Sequence, residues 1–569
     1  MKHFNLFLTC ILLACFTTVS AQEANTVFVR SFGENLYKVR MVDDFQNNRI
    51  VAAQWTVGSG QGVTNPNVFI EKYNSQNALQ WGMSTLYESG STQATLVDLA
   101  VDEGGSTYVL INYRGGTAEL NGVSFEGSFE NDEDFFLAKI SPSGNVLWVL
   151  GAESENFMGK NRRAKGISMN NENEIIITGD HHRNFTFGGT QIEGAGSDEN
   201  DSHFDYPMSF VLKVDSDGNG LMSKVFHKLD YENVAGFHGP QTALQAQDGS
   251  FFTLLDLRGS VELNGDTINP TSAEGELTKA ILKTDENFQN PSLLTLDSPE
   301  DFDFVVSDFI LDNCGEPVIA GTYTQYLVMG DQELSSTLGN DDVFVSKLSI
   351  DNEVQWLQNF GTTEADGSAG LDVNDQNQVF FAMEYFGEYD YADEPYTPGG
   401  YDVAVFKLDD QGEFVWEFHS TGDGFMSVHD LSVMQDNTIG LNSQLNGMEN
   451  LGGATLQEQS RMILSTWVDN DYSGEPVDCS GVVSVEGREK NQSDLTVYPN
   501  PAENFINVRF AEEMVKSQTT IQIFNSHGQH VRTENLNGQS KIDISSLSSG
   551  LYILKVDGPE NTTKRFMKR

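Results

Sequence analysis

The sequence predicts an all-β protein, a radial array of repeated four-stranded sheets followed by a small β-sandwich. Three observations carry that expectation. A strand ending in lysine recurs at Lys72, Lys139, Lys213, Lys283, Lys347 and Lys407, with a spacing of about 60–75 residues, and self-similarity at such a period marks a repeat architecture. Nine residues after the lysine stands a tryptophan in four copies, Trp81, Trp148, Trp356 and Trp416, with Met222 and Ser292 in the other two. A second phrase alternates with the first: an apolar run, a polar turn, another apolar run.

The lysine phrase reads as a strand from Asp134 to Ile140, a turn at Pro142-Ser143-Gly144, and a second strand from Val146 to Trp148. In the alternating phrase, Leu99 to Val101 turns at Asp102-Glu103-Gly104-Gly105 into Tyr108 to Ile111. Ile167, Leu244, Phe309, Leu371 and Leu431 open five further copies, and Val39 to Val42 opens the seventh. Short runs with tight polar turns are antiparallel hairpins. Asn121-Gly122, Gly188-Gly189, Asn264-Gly265, Gly330-Asp331 and Gly452-Gly453 mark smaller turns or bulges between the phrases, because Gly and Asn accept positive φ at low cost. Six lysine strands plus Met462-Ile463-Leu464 make seven, so the expectation is a seven-bladed β-propeller over 22–469. The segment Val27 to Gly33 lacks a hairpin partner, and the last repeat lacks a fourth strand. Pairing of 27–32 with 462–467 would leave no open edge.

Phrases such as Asp134…Lys139…Gly144-Asn145…Trp148 and Ala100-Val101-Asp102…Gly105…Tyr108-Val109 resemble the SBBP-type β-propeller repeat of bacterial exported proteins, over most of 60–465. The third and fourth copies depart from it in lacking the tryptophan. The ring of each tryptophan is expected to fill space between sheets, and each lysine to cap a strand end.

The chain opens on Lys2, an apolar run from Phe4 to Phe16, and Val19-Ser20-Ala21. That reads as a secretory signal over 1–21, too short for a spanning helix. Leu12-Leu13-Ala14-Cys15 fits a lipoprotein box less well than Ala21 fits a cleavage site. Cys10 and Cys15 would leave with the signal, and Cys314 and Cys479 are the remaining candidates for one disulfide. With 83 acids against 33 bases the formal charge is −50, which repels nucleic acid and anionic lipid. No later stretch is long and apolar enough for a transmembrane helix.

Residues 470–493 read as a polar linker. Beyond it, short strands follow at the spacing of a small Ig-like β-sandwich over 494–569. Pro499-Asn500-Pro501, the Phe-Asn-Ser-His-Gly turn at Gly528, Leu-Ser-Ser-Gly-Leu-Tyr with Gly550 and Tyr552, and a basic end with Lys568 appear in that order. This segment resembles the type IX secretion C-terminal sorting domain, type A. The resemblance implies export by the Sec system, passage of the outer membrane through the type IX machinery, and removal of the domain by a sortase-like protease. Attachment to the cell surface often accompanies it.

No catalytic motif stands out. His181-His182 on an extended segment point apart, which suits a solvated loop better than a metal site. Asp469, Asp471 and Ser473 open like a calcium loop, but Ser480 stands where the closing Glu belongs. No cofactor is expected beyond that weak calcium candidate. There is no phosphate loop and no Gly-x-Ser-x-Gly elbow. On the face opposite the hairpin turns the sequence places a basic cluster, Lys160 to Lys165, an acidic insertion at 198–205, and a tyrosine-rich stretch. Tyr385, Tyr389, Tyr391 and Tyr396 are the candidate ligand-binding residues, since tyrosine beside carboxylates suits sugar or peptide contact. The expected function is non-catalytic binding or adhesion to a glycan, peptide or surface protein. The alternatives are a polysaccharide hydrolase or lyase at the channel mouth and a structural surface-layer component.

Overall fold

The computed structural model describes residues 28–55, 68–87, 93–126, 133–153, 162–194, 208–229, 239–269, 277–297, 304–469, 476–477, 479, and the strands and some flanking residues of 496–568, apart from short gaps at 35, 115–116, 337–339, 392–393, 397 and 452–453. The signal, the acidic insertion and most of the linker lie outside them. The chain divides into two compact units, 1–483 and 484–569.

Among the described residues of the first unit, the named elements are strands, and these build seven antiparallel sheets of four or more strands. In chain order, sheet 1 spans 36–87, sheet 2 93–151, sheet 3 162–228, sheet 4 240–297, sheet 5 304–360 and sheet 6 367–419. Sheet 7 takes Phe425–Val433, Thr438–Leu451 and Ala454–Val468, and its fourth strand is Phe28–Glu34 from the other end of the chain. The register there is Phe28↔Thr466 through Ser31↔Ile463, so the expected pairing of the two chain ends is present over 28–31 and supplies the last sheet with its outer strand. Each sheet's first strand packs on the first strand of the next, and sheet 7 packs back on sheet 1. The circle is closed.

The sequence repeat has a direct structural meaning. Lys72↔Trp81, Lys139↔Trp148, Lys347↔Trp356 and Lys407↔Trp416 are cross-strand partners in the third and fourth strands, as are Lys213↔Met222 and Lys283↔Ser292. Two of the tryptophans hydrogen-bond to the turn of the next sheet. Trp81 Nε1 donates to Pro142 O at 2.9 Å and Trp356 Nε1 to Asp410 O at 3.1 Å. The lysines reach acids of the inner hairpin turns: Lys72 to Asp44 at 2.7 Å, Lys213 to Glu174 at 2.7 Å, and Lys347 to Asp312 at 2.8 Å.

Three of the smaller Gly and Asn marks, at Asn121, Asn264 and Gly330, are hairpins that reach backwards. Thr117–Leu120 and Val123–Glu126 belong to the second-to-third connection of sheet 2 but pair with the outer strand of sheet 1. The equivalents at Val261–Ile268 and Tyr326–Ser335 extend sheets 3 and 4. Their turns carry positive φ at Asn121, Gly122, Asn264 and Gly265, the geometry of a two-residue hairpin loop.

The chain leaving sheet 7 crosses the turn side of the ring. Lys407 holds Asp469 at 2.6 Å, Val477 donates its backbone N–H to Asp375 O at 2.9 Å, and Cys479 forms a disulfide with Cys314 in the inner turn of sheet 5.

In the second unit, Thr496–Tyr498, Phe505–Arg509 and Lys541–Asp543 make one sheet. Thr519–Asn525, His530–Leu536, Gly550–Asp557 and Thr562–Lys568 make the other. Ile506, Val508, Ile521, Ile523, Ile542 and Leu554 from both sheets, with Tyr552, bury one shared core. Pro499, Asn500, Pro501 and Gly528 lie outside the described residues.

Candidate functional site

All seven first strands carry a β-bulge at the same level. The register slips at 36/38, 96/98, 164/166, 240/242, 306/308, 369/371 and 428/430. A bulge inserts one residue and re-aims its side chain. Six of the seven inserted residues, Val97, Lys165, Gln241, Ser307, Gly370 and His429, line one cavity of about 810 Å³ where the first strands meet. The seventh, Tyr37, has a side chain outside the described residues. None of the six is a carboxylate.

The next level holds the charge. Lys38, Arg40, Asp98, Asp308 and Asp430 all line the cavity, with Asp372 further along the strands. Arg40 Nε lies 3.5 Å from Asp98 Oδ1. The other aspartates are tied to backbone. Asp308 accepts the N–H of Phe309 at 2.8 Å and of Leu371 on sheet 6 at 3.1 Å. Asp372 accepts from Val373 at 2.8 Å and from Val433 on sheet 7 at 2.7 Å. Asp430 accepts from Leu431 at 2.9 Å and from Met41 on sheet 1 at 2.6 Å. Three junctions of the ring are therefore stitched by a carboxylate that satisfies its own strand and its neighbour's. Amides do the same work elsewhere. Gln54 accepts from Leu96 N and donates to Ala94 O, and Asn112 pairs both ways with Ala164.

The electrostatics follow from this crowding. Burial, the largest cause, pushes the Asp308 carboxyl up to about 6 and Asp372 up to about 7, against the pull of their backbone donors. Burial also raises Asp98 and, well above its ordinary value, Asp430. Burial works against the Arg40 charge, but Asp98, Asp430 and Asp308 outweigh it and hold the guanidinium above its ordinary value. Burial and then the Arg40 charge bring Lys38 down to about 8, and the same two causes lower His429.

Several sequence expectations are corrected here. Tyr385 is no loop-face residue. It is 1% exposed in the strand Val379–Tyr385, and its hydroxyl meets His419 Nδ1 at 3.2 Å. Tyr389–Tyr391 and Glu394–Tyr396 pair as the sheet 6 copy of the recurrent hairpin, so the tyrosine-rich stretch is part of the repeat and not an insertion. The side chains of Tyr389, Tyr391 and Tyr396 lie outside the described residues. The basic cluster is the start of a first strand, Arg162–Met169. Arg162 is buried against Asp134 at 3.1 Å, and Lys165 enters the cavity. His181 is a fully buried strand residue, not a solvated one, with Nε2 2.6 Å from Glu193 O. Asp469 is buried in its ion pair with Lys407. Asp471 and Ser473 lie outside the described residues. Among the described residues no group of three or more His, Cys, Asp or Glu side chains could hold a metal ion, and no helix is long and apolar enough to cross a membrane.

Sequence reasoning missed the cavity because its signal is an interruption. The apolar phrase becomes regular only after the bulge, so the polar residues before it read as loop.

No curated protein matches the chain at a significant level. Solved structures similar to it include a catalytically inactive virginiamycin B lyase from Staphylococcus aureus with quinupristin, 8% identical, covering 78% of this chain and 99% of that one at a TM-score of 0.36. A polysaccharide lyase of family PL25, an ulvan lyase, is 11% identical over 76% of this chain and 97% of its own, with a TM-score of 0.36. The NanB sialidase from Streptococcus pneumoniae is 9% identical over 79% and 71%, with a TM-score of 0.34. Residues 496–569 match the secretion system C-terminal sorting domain. That tail, a substrate signal for the type IX secretion machinery, marks the chain as a secreted or cell-surface protein.

Proposed function

We propose that residues 22–469 are a seven-bladed β-propeller of the SBBP repeat type, displayed outside the cell as a non-catalytic binding module for a glycan, peptide or surface protein. The Sec signal at 1–21 starts its export, and a sortase-like protease removes the Ig-like tail. One observation carries the binding reading. The carboxylates an enzyme would use, Asp308, Asp372 and Asp430, each hold two backbone amides across a sheet junction. A general base must be free to take a proton from substrate, and these groups are occupied in holding the ring. Tyr389, Tyr391 and Tyr396 form a second proposed contact surface on the sheet 6 hairpin.

A second reading rests on its own observation. Asp98, Asp308, Asp430 and His429 converge on one cavity, and carboxyl groups shifted towards neutrality are usual in hydrolases and lyases. A glycan and protein array probed with the full secreted chain separates the two, followed by incubation with each hit and analysis for cleavage. A hit that is retained intact supports the binding module. Cleavage that is lost in D308N or D430N, with the ring still folded, replaces it with the enzyme.

A further inference from the structure

We infer that three aromatic side chains on the loop side of the first unit, Phe386, Tyr401 and Phe425, form a docking platform for a basic segment of a partner protein, held by stacking of its arginine or lysine side chains. The inference deepens the binding-module reading by naming the class of partner, and rests on it.

The platform is built where three strand ends meet. Phe386 follows the second strand of sheet 6, Val379–Tyr385, and Tyr401 precedes the third, Asp402–Leu408. Phe425 opens the first strand of sheet 7, Phe425–Val433. The centroids of Phe386 and Tyr401 lie 5.2 Å apart with their planes at 27°, and those of Tyr401 and Phe425 5.1 Å apart with their planes at 60°. One contact is stacked and the other edge-on, so the cluster turns aromatic faces in two directions. Phe386 is 46% exposed and Phe425 42%. A single exposed phenylalanine means little, but large rings that touch one another and stay this open form a patch, and such patches mark interaction sites.

The backbone beneath is held. Met426 N–H donates to Tyr401 O at 2.7 Å, and Gly424 N–H to Oε1 of the buried Glu449 at 2.8 Å. The start of sheet 7 passes so close to Gly400 that a Cβ there would lie 1.8 Å from Gly424 O. Rings carried on such a frame need little ordering when a partner arrives, which preserves affinity.

Charge decides the occupant. Between Lys347 and Arg461 the chain has one lysine or arginine, Lys407, and that one is buried in its pair with Asp469. Acids border the platform instead. Glu388 and Asp423 stand two residues from Phe386 and Phe425, and both are exposed, as is Glu364. Glu364 N lies 2.8 Å from the place of a Cβ on Gly387, and Asp423 Oδ1 lies 3.0 Å from that of Gly399, so these acids flank the loops that carry the rings. Ionised carboxylates accept hydrogen bonds and do not donate them, whereas guanidinium and ammonium groups only donate. Aromatic faces attract the same cations, arginine most often, because its plane also stacks. A sugar hydroxyl both donates and accepts, and these charged neighbours offer it acceptors alone. The formal charge of −50 adds long-range attraction for a basic partner.

Calorimetric titration of the full secreted chain at about 0.15 M salt tests the platform with three probes: an alternating arginine–serine peptide, the same peptide with citrulline in place of arginine, and cellohexaose. The arginine peptide should bind at least tenfold tighter than the citrulline peptide. F386A/F425A, which leaves every charge in place, should weaken that binding tenfold or more. E388Q/D423N should weaken it about as much. E103Q/E172Q removes the same charge from exposed positions in inner turns and should change it less than twofold. Should F386A/F425A fold poorly, the comparison of the two acid pairs carries the test. Arginine-peptide binding untouched by F386A/F425A, equal weakening by the two acid pairs, or no arginine-peptide binding below 1 mM would overturn the platform. Cellohexaose bound through the two phenylalanines in place of the peptide keeps the binding module and makes its ligand a glycan. Dimerisation that is lost in F386A/F425A makes the occupant a second copy of the chain. Either result removes the basic partner. An array partner held equally by the parent and F386A/F425A keeps the binding module and removes the platform. Cleavage of an array hit, with the arginine peptide still bound through the rings, keeps the platform and removes the non-catalytic reading.

Discussion

Asp430 Oδ2 accepts the backbone N–H of Met41 at 2.6 Å across 389 residues of sequence. The same carboxylate accepts from Leu431 in its own strand. Residues near the two ends of the repeat array are thus fastened by one side chain, beside the strand exchange that completes sheet 7. D430A leaves both N–H groups without their acceptor, at a cost of about 1–3 kcal/mol for a buried donor. D430N, which keeps one acceptor oxygen, should cost less. Chemical unfolding followed by tryptophan fluorescence measures the order, and a D430A protein as stable as the parent would show that the strand exchange alone closes the ring.

Gly144 and Gly122 make a matched pair. Both have positive φ, +84° and +85°. A Cβ on Gly144 would lie 2.6 Å from Trp81 Cγ, while one on Gly122 meets nothing within 4 Å. Alanine at 122 should therefore cost only the backbone strain, about 1–2 kcal/mol. Alanine at 144 should cost a further ~1–3 kcal/mol for displacing the tryptophan. Equal losses would mean that the contact between neighbouring sheets contributes nothing.

Stability should decrease as pH rises from 6 to 8. Burial raises Asp308 to about 6, and Asp366, Asp372 and Glu449 to about 7. An acid whose folded value lies above its unfolded one stabilises below the unfolded value, and that contribution is lost as pH climbs through the folded value. Burial lowers His181 to about 4 and also lowers His419 and His429. Those groups act in the opposite sense, but only below the ordinary histidine value near 6.5. Melting curves at constant ionic strength read the trend, and a midpoint that climbs between pH 6.5 and 8 contradicts it.

The disulfide between Cys314 and Cys479 spans a sequence separation of 165. Its removal in the C314S/C479S double variant should lower stability by about 2–5 kcal/mol, since long closed loops restrict the unfolded chain most. Scanning calorimetry with and without reductant should show the parent shifting to the double variant's midpoint and the variant unmoved.

Truncation before residue 494 removes the second unit, which has its own core. The remaining chain should melt as the parent's first unit does but accumulate in the periplasm. Fractionation that finds it at the cell surface in normal amount would detach export from the tail.

Much of the frame could be read from the sequence because it repeats. The nine-residue gap between Lys139 and Trp148 is the length of a strand end, a tight turn and a strand start, and it makes the two residues cross-strand partners. Six copies of that gap announce hairpins however the loops vary. The site was hidden for the converse reason. A bulge breaks the alternation that identifies a strand, so Lys165 looked like loop-face charge and His429 carried no signal at all. Tyr385 misled because composition does not separate a tyrosine in a buried strand from one in a loop a few residues later. His181 was misread likewise, since the carbonyl of Glu193 that satisfies it is set only by the fold.

The path of the chain beyond sheet 7 bears on mechanics. A surface protein held through its C-terminal end feels drag as tension entering after Cys479. Without the crosslink, that tension would peel Ala454–Val468 away from Phe28–Glu34 one ladder rung at a time. With it, the pull passes through a covalent bond into the inner turn of sheet 5 and must shear packed sheets together. The seam where the ring's two ends meet is thereby shielded from the line of force.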